Sequence, residues 1–155
     1  MSQLGECRNS KFGYNTGNPC IILELNKIED LKYSAVDINN LPEPPKNMSS
    51  RLVNHIKIQA DQKKVWVECQ GVSDADKHAL DGKEKEIKYF PNSQGFPTYY
   101  FPYMKENKDK YKSPLVAVQF KGIQGKKIHV QCRVFANAGK YELGVTHFQL
   151  DITKN

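Results

Sequence analysis

Four cysteines have the clearest capacity for chemistry in this chain: Cys7, Cys20, Cys69 and Cys132. The first two bracket a short segment of glycine, asparagine and proline, which suits a metal clip, a redox pair or a disulfide-closed turn. The spacing of the four residues lacks the paired C-x-x-C units of a structural zinc site. Disulfides are therefore favoured, although four buried free thiols would also fit this spacing.

Other residues offer little for catalysis or for metal binding. Asp74, Asp76 and His78 resemble the start of a calcium-binding loop, in which glycine occupies the sixth position and glutamate the twelfth. Here those positions hold Ala79 and Lys85. The chain also lacks a glycine-rich phosphate loop and an evident nucleophile beside a base. We therefore predict no enzyme activity, no cofactor and no metal site.

The net charge of +6 would permit weak attraction to nucleic acids or anionic lipids. However, the densest lysine group, within residues 105–112, is interrupted by Glu106 and Asp109, a pattern typical of a solvated loop. No nucleic-acid-binding module accompanies this group, so we predict no nucleic-acid partner.

The apolar runs are short. The longest, residues 21–23 and 115–118, fall far below the roughly 18 residues that a membrane-spanning helix needs. The first ten residues also lack the charged start and apolar stretch of a secretory signal. We expect no signal peptide and no membrane insertion by this chain itself. Its 155 residues, 39% of them hydrophobic, are enough for a single domain over residues 1–155.

Apolar and polar residues alternate in five segments, a pattern that predicts half-buried β-strands. These segments are residues 21–28, 56–58, 65–69, 128–134 and 148–152. Cys69 and Cys132 both fall on apolar faces, so a bond between them would join two β layers. Trp66, three residues before Cys69, faces the opposite side of a regular strand. The sequence does not decide whether Trp66 belongs to the core or to an interface.

Two further segments have different patterns. One short helix is predicted within residues 73–86, where sparse apolar residues have helical spacing and Ser73 or Asp74 can act as N-cap. Residues 89–104 are rich in aromatic residues and prolines and follow neither period, so we expect an irregular segment. The sequence thus predicts a mainly β fold with one short helix and long loops.

A single N-glycosylation sequon, Asn47-Met48-Ser49, lies in the proline-rich segment 41–50. Prolines remove the backbone donors that a β-ladder needs, so this segment is predicted to be a loop where a glycan would stay on the surface. A three-residue sequon also occurs by chance. We predict that Asn47 carries a glycan when the chain passes through a secretory pathway.

An aromatic cluster is the most unusual local composition: Tyr99, Tyr100, Phe101, Pro102 and Tyr103. Some of these rings must fill the core. Tyrosines in irregular segments also suit protein interfaces, because each ring offers apolar area and a polar tip. We predict that this cluster contacts a protein partner.

Eight segments, in order, resemble the extracellular domain of the β subunit of the sodium/potassium-transporting ATPase and its hydrogen/potassium relatives. They are QLGEC (3–7), FGYNTGNPCIILELNKI (12–28), PPKN with Ser49 (44–49), WVECQG (66–71), EIKYFP (86–91), GFPTYYFPYM (95–104), YKSPLVAVQF (111–120) and IHVQCRVFA (128–136). The second is similar to the family's G-Y-x-x-G-x-P-C and the seventh to its Y-x-x-P-L-V-A-V-Q-F. Several independent motifs at compatible spacing make the resemblance specific.

The resemblance implies an immunoglobulin-like β-sandwich with irregular topology, stapled by the disulfides Cys7–Cys20 and Cys69–Cys132. The second bond would then link one sheet to the other. Such a domain lies on the extracellular face of the plasma membrane, on top of the catalytic α subunit of a P-type ATPase. This chain corresponds to the C-terminal part of the family's ectodomain, without the transmembrane segment.

The function that the resemblance implies is that of a non-catalytic accessory subunit. It would help the α subunit to fold, to leave the endoplasmic reticulum and to hold its ion-binding conformations, and the aromatic cluster would contact the α subunit. The alternative is a soluble extracellular interaction or cell-adhesion module derived from the β subunit, with homophilic or other protein contacts. Co-purification with an α subunit distinguishes the two.

Overall fold

The computed structural model describes residues 4–9, 11–26, 38–39, 43–59, 63–81, 86–100, 103–123, 125–136 and 142–153. Within them the strands are β1 Cys20–Glu24, β2 Lys64–Gly71, β3 Ile87–Phe90, β4 Gly95–Pro97, β5 Leu115–Phe120, β6 Lys127–Phe135 and β7 Glu142–Asp151. The helices are α1 Ser50–Ile58 and α2 Asp74–Leu80. The predicted mainly β fold is confirmed, with two short helices in place of the single one expected.

The strands form two antiparallel sheets, with the orders β1-β5-β3 and β4-β2-β6-β7. One face of each sheet contributes to a shared apolar core, because alternate side chains of a strand point to the same side. That core includes Val65, Val67, Val116, Val118 and Val130, all fully buried. The arrangement is a β-sandwich, consistent with the immunoglobulin-like fold that the sequence predicts.

The strand predicted around Ile56 and Ile58 is wrong, because these residues form the last turn of α1. A helical stripe of Leu52, Val53 and Ile56 is buried, whereas Ile58 is 80% exposed. The Ser49 hydroxyl caps the helix by accepting a hydrogen bond from the Leu52 N–H at 3.1 Å. Two apolar residues are too short a sample to distinguish a period of 2 from a period of 3.6.

Helix α1 covers the outer face of the four-stranded sheet, which is the face turned away from the sandwich core. Its buried stripe forms a second apolar cluster with Trp66 and Phe135, which are directly paired on β2 and β6. Both faces of β2 are consequently covered, and seven of its eight residues are buried. Trp66 is fully buried and is therefore a core residue of this outer layer.

Helix α2 begins where the sequence predicts it. Ser73 is the N-cap and forms a capping box with Asp76, whose carboxylate also accepts the backbone N–H of His129 on β6 at 3.0 Å. The hydrogen bond from the Ser73 hydroxyl, with those from the His129 and Ser73 backbone, lowers the pKa of Asp76 below its ordinary value. One carboxylate thus both starts α2 and attaches it to the sheet.

The irregular segment predicted at residues 89–104 contains more strand than expected. It includes the end of β3 and all of β4, which pairs with Lys64, Val65 and Trp66 at the sheet edge. A three-residue edge strand forms because it pairs with the backbone of a neighbouring strand. The local sequence pattern does not reveal that pairing. The strand predicted at 21–28 ends at Glu24, and its last two residues lie outside the described part of the chain. No helix in the described ranges is long and apolar enough to cross a bilayer.

Candidate functional site

The disulfide between Cys69 and Cys132 lies within one sheet. The two residues are direct partners in the register of β2 and β6, with Cα atoms 4.0 Å apart and the sulfur atoms bonded at 2.01 Å. The expected link between two β layers is therefore wrong. Both cysteines do lie on the apolar face of their strand, but the neighbouring strand of the same sheet supplies the partner. The bond crosslinks segments that are 63 residues apart in the sequence.

The second disulfide closes the loop at the start of the described chain. Cys7, in the short turn Gly5–Arg8, bonds to Cys20, the first residue of β1, and both are buried against β5. Within the loop, Gly13 has a φ of +75°, and a Cβ there would lie 2.0 Å from the Asn18 carbonyl oxygen. Only glycine fits that turn. None of the four cysteines is free.

The sequon residues have three different environments. Asn47 is exposed and has a φ of +68°, a left-handed conformation that asparagine tolerates better than most residues. Met48 packs against the cluster beneath α1, and its N–H donates to the Pro45 carbonyl at 3.1 Å. The Ser49 hydroxyl donates to the Glu68 carboxylate, and the Ser49 backbone N–H donates to the other carboxylate oxygen at 3.1 Å.

Glu68 is a structural residue that the sequence analysis does not single out. It lies on β2 and is only 7% exposed, and its two carboxylate oxygens accept hydrogen bonds from the Ser49 hydroxyl and backbone N–H. A carboxylate among the apolar residues of VWVEC (65–69) is the signal that could have found it. Its bonds connect the sequon loop to the four-stranded sheet.

The aromatic cluster divides into an exposed part and a buried part. Tyr99 is 78% exposed and lies beside Tyr100, with ring centroids 4.6 Å apart and an interplanar angle of 31°. We call Tyr99 and Tyr100 the tyrosine pair. Both lie in a short 3-10 turn that directly follows β4. The turn is held by Thr98, whose N–H and hydroxyl both donate to the Lys63 carbonyl.

Tyr103 differs from the tyrosine pair. It is only 9% exposed and packs edge-to-face on Tyr111, with ring centroids 4.9 Å apart. Phe101 and Pro102, which were predicted to belong to the same surface, lie outside the described residues. Among the described residues of the predicted surface, Tyr99 is the most exposed and Tyr103 packs within this chain.

Tyr89 is a half-buried tyrosine with a structural role. Its hydroxyl accepts a hydrogen bond from the Cys69 N–H at 2.9 Å, at the edge of β2 beyond the reach of β4. Desolvation raises the pKa of this hydroxyl well above its ordinary value, so it stays protonated at physiological pH. The phenol thus satisfies a strand-edge donor directly beside the disulfide.

No metal centre is visible in the described part of the chain, because no three histidine, cysteine, aspartate or glutamate side chains converge there. The described features are therefore a stapled sandwich, an exposed sequon asparagine, and a pair of aromatic rings of which Tyr99 is exposed and Tyr100 half-buried. Such a combination suits recognition by another macromolecule.

Comparison with known proteins identifies the family. A family model described as "Sodium / potassium ATPase beta chain" matches residues 1–150. The chain belongs to this family. It is 38% identical over 140 residues to the sodium/potassium-transporting ATPase subunit beta-1 of Drosophila melanogaster, a match that covers 89% of this chain and 42% of that protein.

Other members of the family match at lower identity. The chain is 33% identical over 155 residues to subunit beta-2 of Drosophila melanogaster, covering 92% of this chain and 45% of that protein. The potassium-transporting ATPase subunit beta of Rattus norvegicus is 25% identical over 151 residues, with 92% and 42% covered. The chain thus spans less than half the length of these beta subunits.

Proposed function

We propose that this chain is the extracellular part of a non-catalytic accessory subunit that assembles with the α subunit of a P-type ion-transporting ATPase. Membership of the beta chain family over residues 1–150 carries this proposal. The relatives are named as beta subunits of sodium/potassium-transporting and potassium-transporting ATPases. In this role the chain assists the folding, the trafficking and the ion-transport conformations of the α subunit, and it has no catalytic residues of its own.

The tyrosine pair is the proposed contact with the α subunit. Tyr99 presents most of its ring to solvent, and Tyr100 packs beside it, so the pair offers a preformed aromatic surface. Rings of this kind anchor protein interfaces, each contributing about 1–2 kcal/mol or more when it is buried by a partner. Phe101 and Pro102 remain part of the proposed contact on the strength of the sequence. Tyr103 is not part of the exposed surface, and its edge-to-face contact with Tyr111 holds this end of the segment within the chain.

An extracellular location and a glycan on Asn47 belong to the same proposal. Both disulfides would persist in an oxidising compartment, and the Asn47 side chain lies at the surface of its loop. A glycan there extends into solvent without disturbing the core.

A second candidate function is that of an extracellular interaction or cell-adhesion module that binds another copy or a different protein. The tyrosine pair favours it, because the exposed ring of Tyr99 suits any protein partner with a complementary pocket. The two candidates predict different co-purifying proteins.

The test is co-purification with an α subunit of a sodium/potassium-transporting ATPase from animal cells, using the protein as its gene encodes it. Tyr99→Ala and Tyr100→Ala should each reduce the recovered α subunit by about five- to thirtyfold, which corresponds to about 1–2 kcal/mol. Tyr14→Ala is the matched control, because Tyr14 is 44% exposed on the disulfide loop. Full recovery with both variants would contradict the proposed surface.

The same experiment distinguishes the two candidates. Absence of any α subunit from the wild-type material, with self-association that Tyr99→Ala abolishes, would favour the adhesion module over the accessory subunit.

A further inference from the structure

The hydroxyl of the sequon serine, Ser49, makes two hydrogen bonds within the fold. Its hydrogen is donated to the Glu68 carboxylate, and its oxygen accepts the Leu52 N–H that begins α1. A hydroxyl has one donor hydrogen and two acceptor lone pairs, so its donor capacity is used up. The backbone N–H of Ser49 itself also donates to the Glu68 carboxylate, at 3.1 Å.

The residue before Ser49 and the Ser49 carbonyl are held as well. Met48 is half-buried against the cluster beneath α1, and its N–H bonds to Pro45. The Ser49 carbonyl accepts the Val53 N–H at 3.0 Å, which places it in the first turn of the helix. The sequon is thus clamped between a loop turn, a helix start and a buried carboxylate on β2.

N-glycosylation makes demands that this arrangement does not meet. The side-chain nitrogen of asparagine forms a bond to the anomeric carbon of the first N-acetylglucosamine of a lipid-linked oligosaccharide. The bond from that carbon to the lipid diphosphate breaks, the diphosphate leaves, and the amide loses one proton to the enzyme. The transferase also binds the hydroxyl of the serine two residues on, and therefore needs an open, extended sequon.

We propose that Asn47 is an acceptor only before Ser49 docks on Glu68, so that the folded domain is not a substrate for oligosaccharyltransferase. This inference rests on the proposal that Asn47 is glycosylated. Exposure of the Asn47 side chain is not sufficient, because the enzyme and the fold compete for the same Ser49 hydroxyl. The glycan must be added while α1 and β2 are still apart, and closure of the Ser49–Glu68 contact ends the period of modification.

The same contacts predict different thermal stabilities for two variants that both remove the sequon. Asn47→Gln leaves the Ser49 cap and the Glu68 bonds in place, so it should lower the melting temperature less than Ser49→Ala does, with a cost that includes the left-handed φ of position 47, which asparagine tolerates better than glutamine. Ser49→Ala removes the cap and leaves the buried Glu68 carboxylate without its hydroxyl donor, so it should lower the melting temperature even in bacterial material that carries no glycan.

The decisive experiment uses purified oligosaccharyltransferase, a lipid-linked oligosaccharide and the 155-residue chain made in bacteria. One sample is oxidised and folded, and the other is reduced and alkylated. We expect the unfolded sample to be modified at Asn47 and the folded sample to react at least about tenfold more slowly, since modification requires opening of charge-assisted hydrogen bonds. Intact mass measures the extent of modification.

Two substitutions test the role of Glu68. Glu68→Ala releases the Ser49 hydroxyl and should raise the reactivity of the folded sample towards that of the unfolded one, whereas Gln70→Ala, on the same strand and face, should leave it low. If near-ultraviolet circular dichroism shows that Glu68→Ala does not fold, Glu68→Gln replaces it, with an intermediate rate expected because neutral hydrogen bonds are weaker.

Each remaining outcome is informative. Equal rates for the folded and unfolded wild-type chains would overturn this inference while leaving Asn47 as an acceptor. No modification of either sample would refute the glycosylation proposal and this inference with it. A folded Glu68 variant that reacts as slowly as the wild type would show that the Ser49–Glu68 contact is not the barrier.

Discussion

Tyr99 and Tyr103 lie four residues apart in one aromatic run, but their environments are opposite. Tyr99 is 78% exposed beside Tyr100, whereas Tyr103 is 9% exposed on the ring of Tyr111. Both residues have the same chemistry and the same local composition. The difference shows that a ring becomes a packing residue when another part of the chain covers it, whereas a ring that lies mostly in solvent offers its surface to a partner.

The comparison extends to the rest of the molecule. Trp66 and Tyr89 are aromatic residues whose neighbours come from distant segments, namely α1 for Trp66 and the edge of β2 for Tyr89. We refer to Trp66, Tyr89 and Tyr103 as the packed aromatic residues. The packed aromatic residues should determine stability, and the tyrosine pair should determine assembly.

The largest expected effect is that of Trp66→Ala. The indole of Trp66 extends from β2 and is fully buried against α1. Removing it leaves a large cavity and should cost about 3–5 kcal/mol in the free energy of unfolding. Urea or thermal unfolding measures it. Co-purification with the α subunit should fall only as far as the folded fraction falls, and a specific loss of binding in fully folded protein would contradict the assignment of Trp66 to the core.

The two disulfides should differ in their contributions. In the chain-entropy model, removal of the Cys69–Cys132 crosslink costs about 4 kcal/mol and removal of Cys7–Cys20 about 3 kcal/mol, because the first closes a longer loop. Paired cysteine-to-alanine variants and chemical denaturation provide the measurement. The reverse ranking would show that burial of Cys7 against β5 outweighs the loop-length effect.

Tyr89→Phe should have a moderate effect. The substitution keeps the ring but leaves the Cys69 N–H without its acceptor at the sheet edge, at a cost of about 1–3 kcal/mol in the free energy of unfolding. Tyr14→Phe, which alters an exposed phenol, is the control and should be neutral. Hydrogen exchange at the Cys69 amide should accelerate in the Tyr89 variant only, and unchanged protection there would argue against this hydrogen bond.

The smallest stability effect is expected for Tyr99→Ala. Because its ring is mostly in solvent, the free energy of unfolding should change by less than about 0.5 kcal/mol, whereas Tyr103→Ala should destabilise the domain by about 1–3 kcal/mol. Thermal melts of the two variants side by side sharpen the comparison. Similar melting temperatures for both would mean that exposure in this structure does not separate the two tyrosines.

Some of this structure is encoded locally. The alternation in β2, β6 and β7 and the Ser73 cap of α2 could be predicted from the sequence, because a period and a cap involve residues only a few positions apart. The family could also be recognised, since its motifs are short and their order is preserved. The sequon and the aromatic run were visible for the same reason.

The remaining features depend on residues that meet only in the folded chain. Ile56 lies in a helix because its stripe packs on Trp66, and Cys69 bonds within its own sheet because β6 is its neighbour. Ser49 binds Glu68, nineteen positions away. Composition alone does not specify such pairings, because they arise from strand order and from the way one layer covers another. The sequence by itself determined the family, most strands and the candidate residues, and the tertiary structure decided which of those residues are buried and which remain available to a partner.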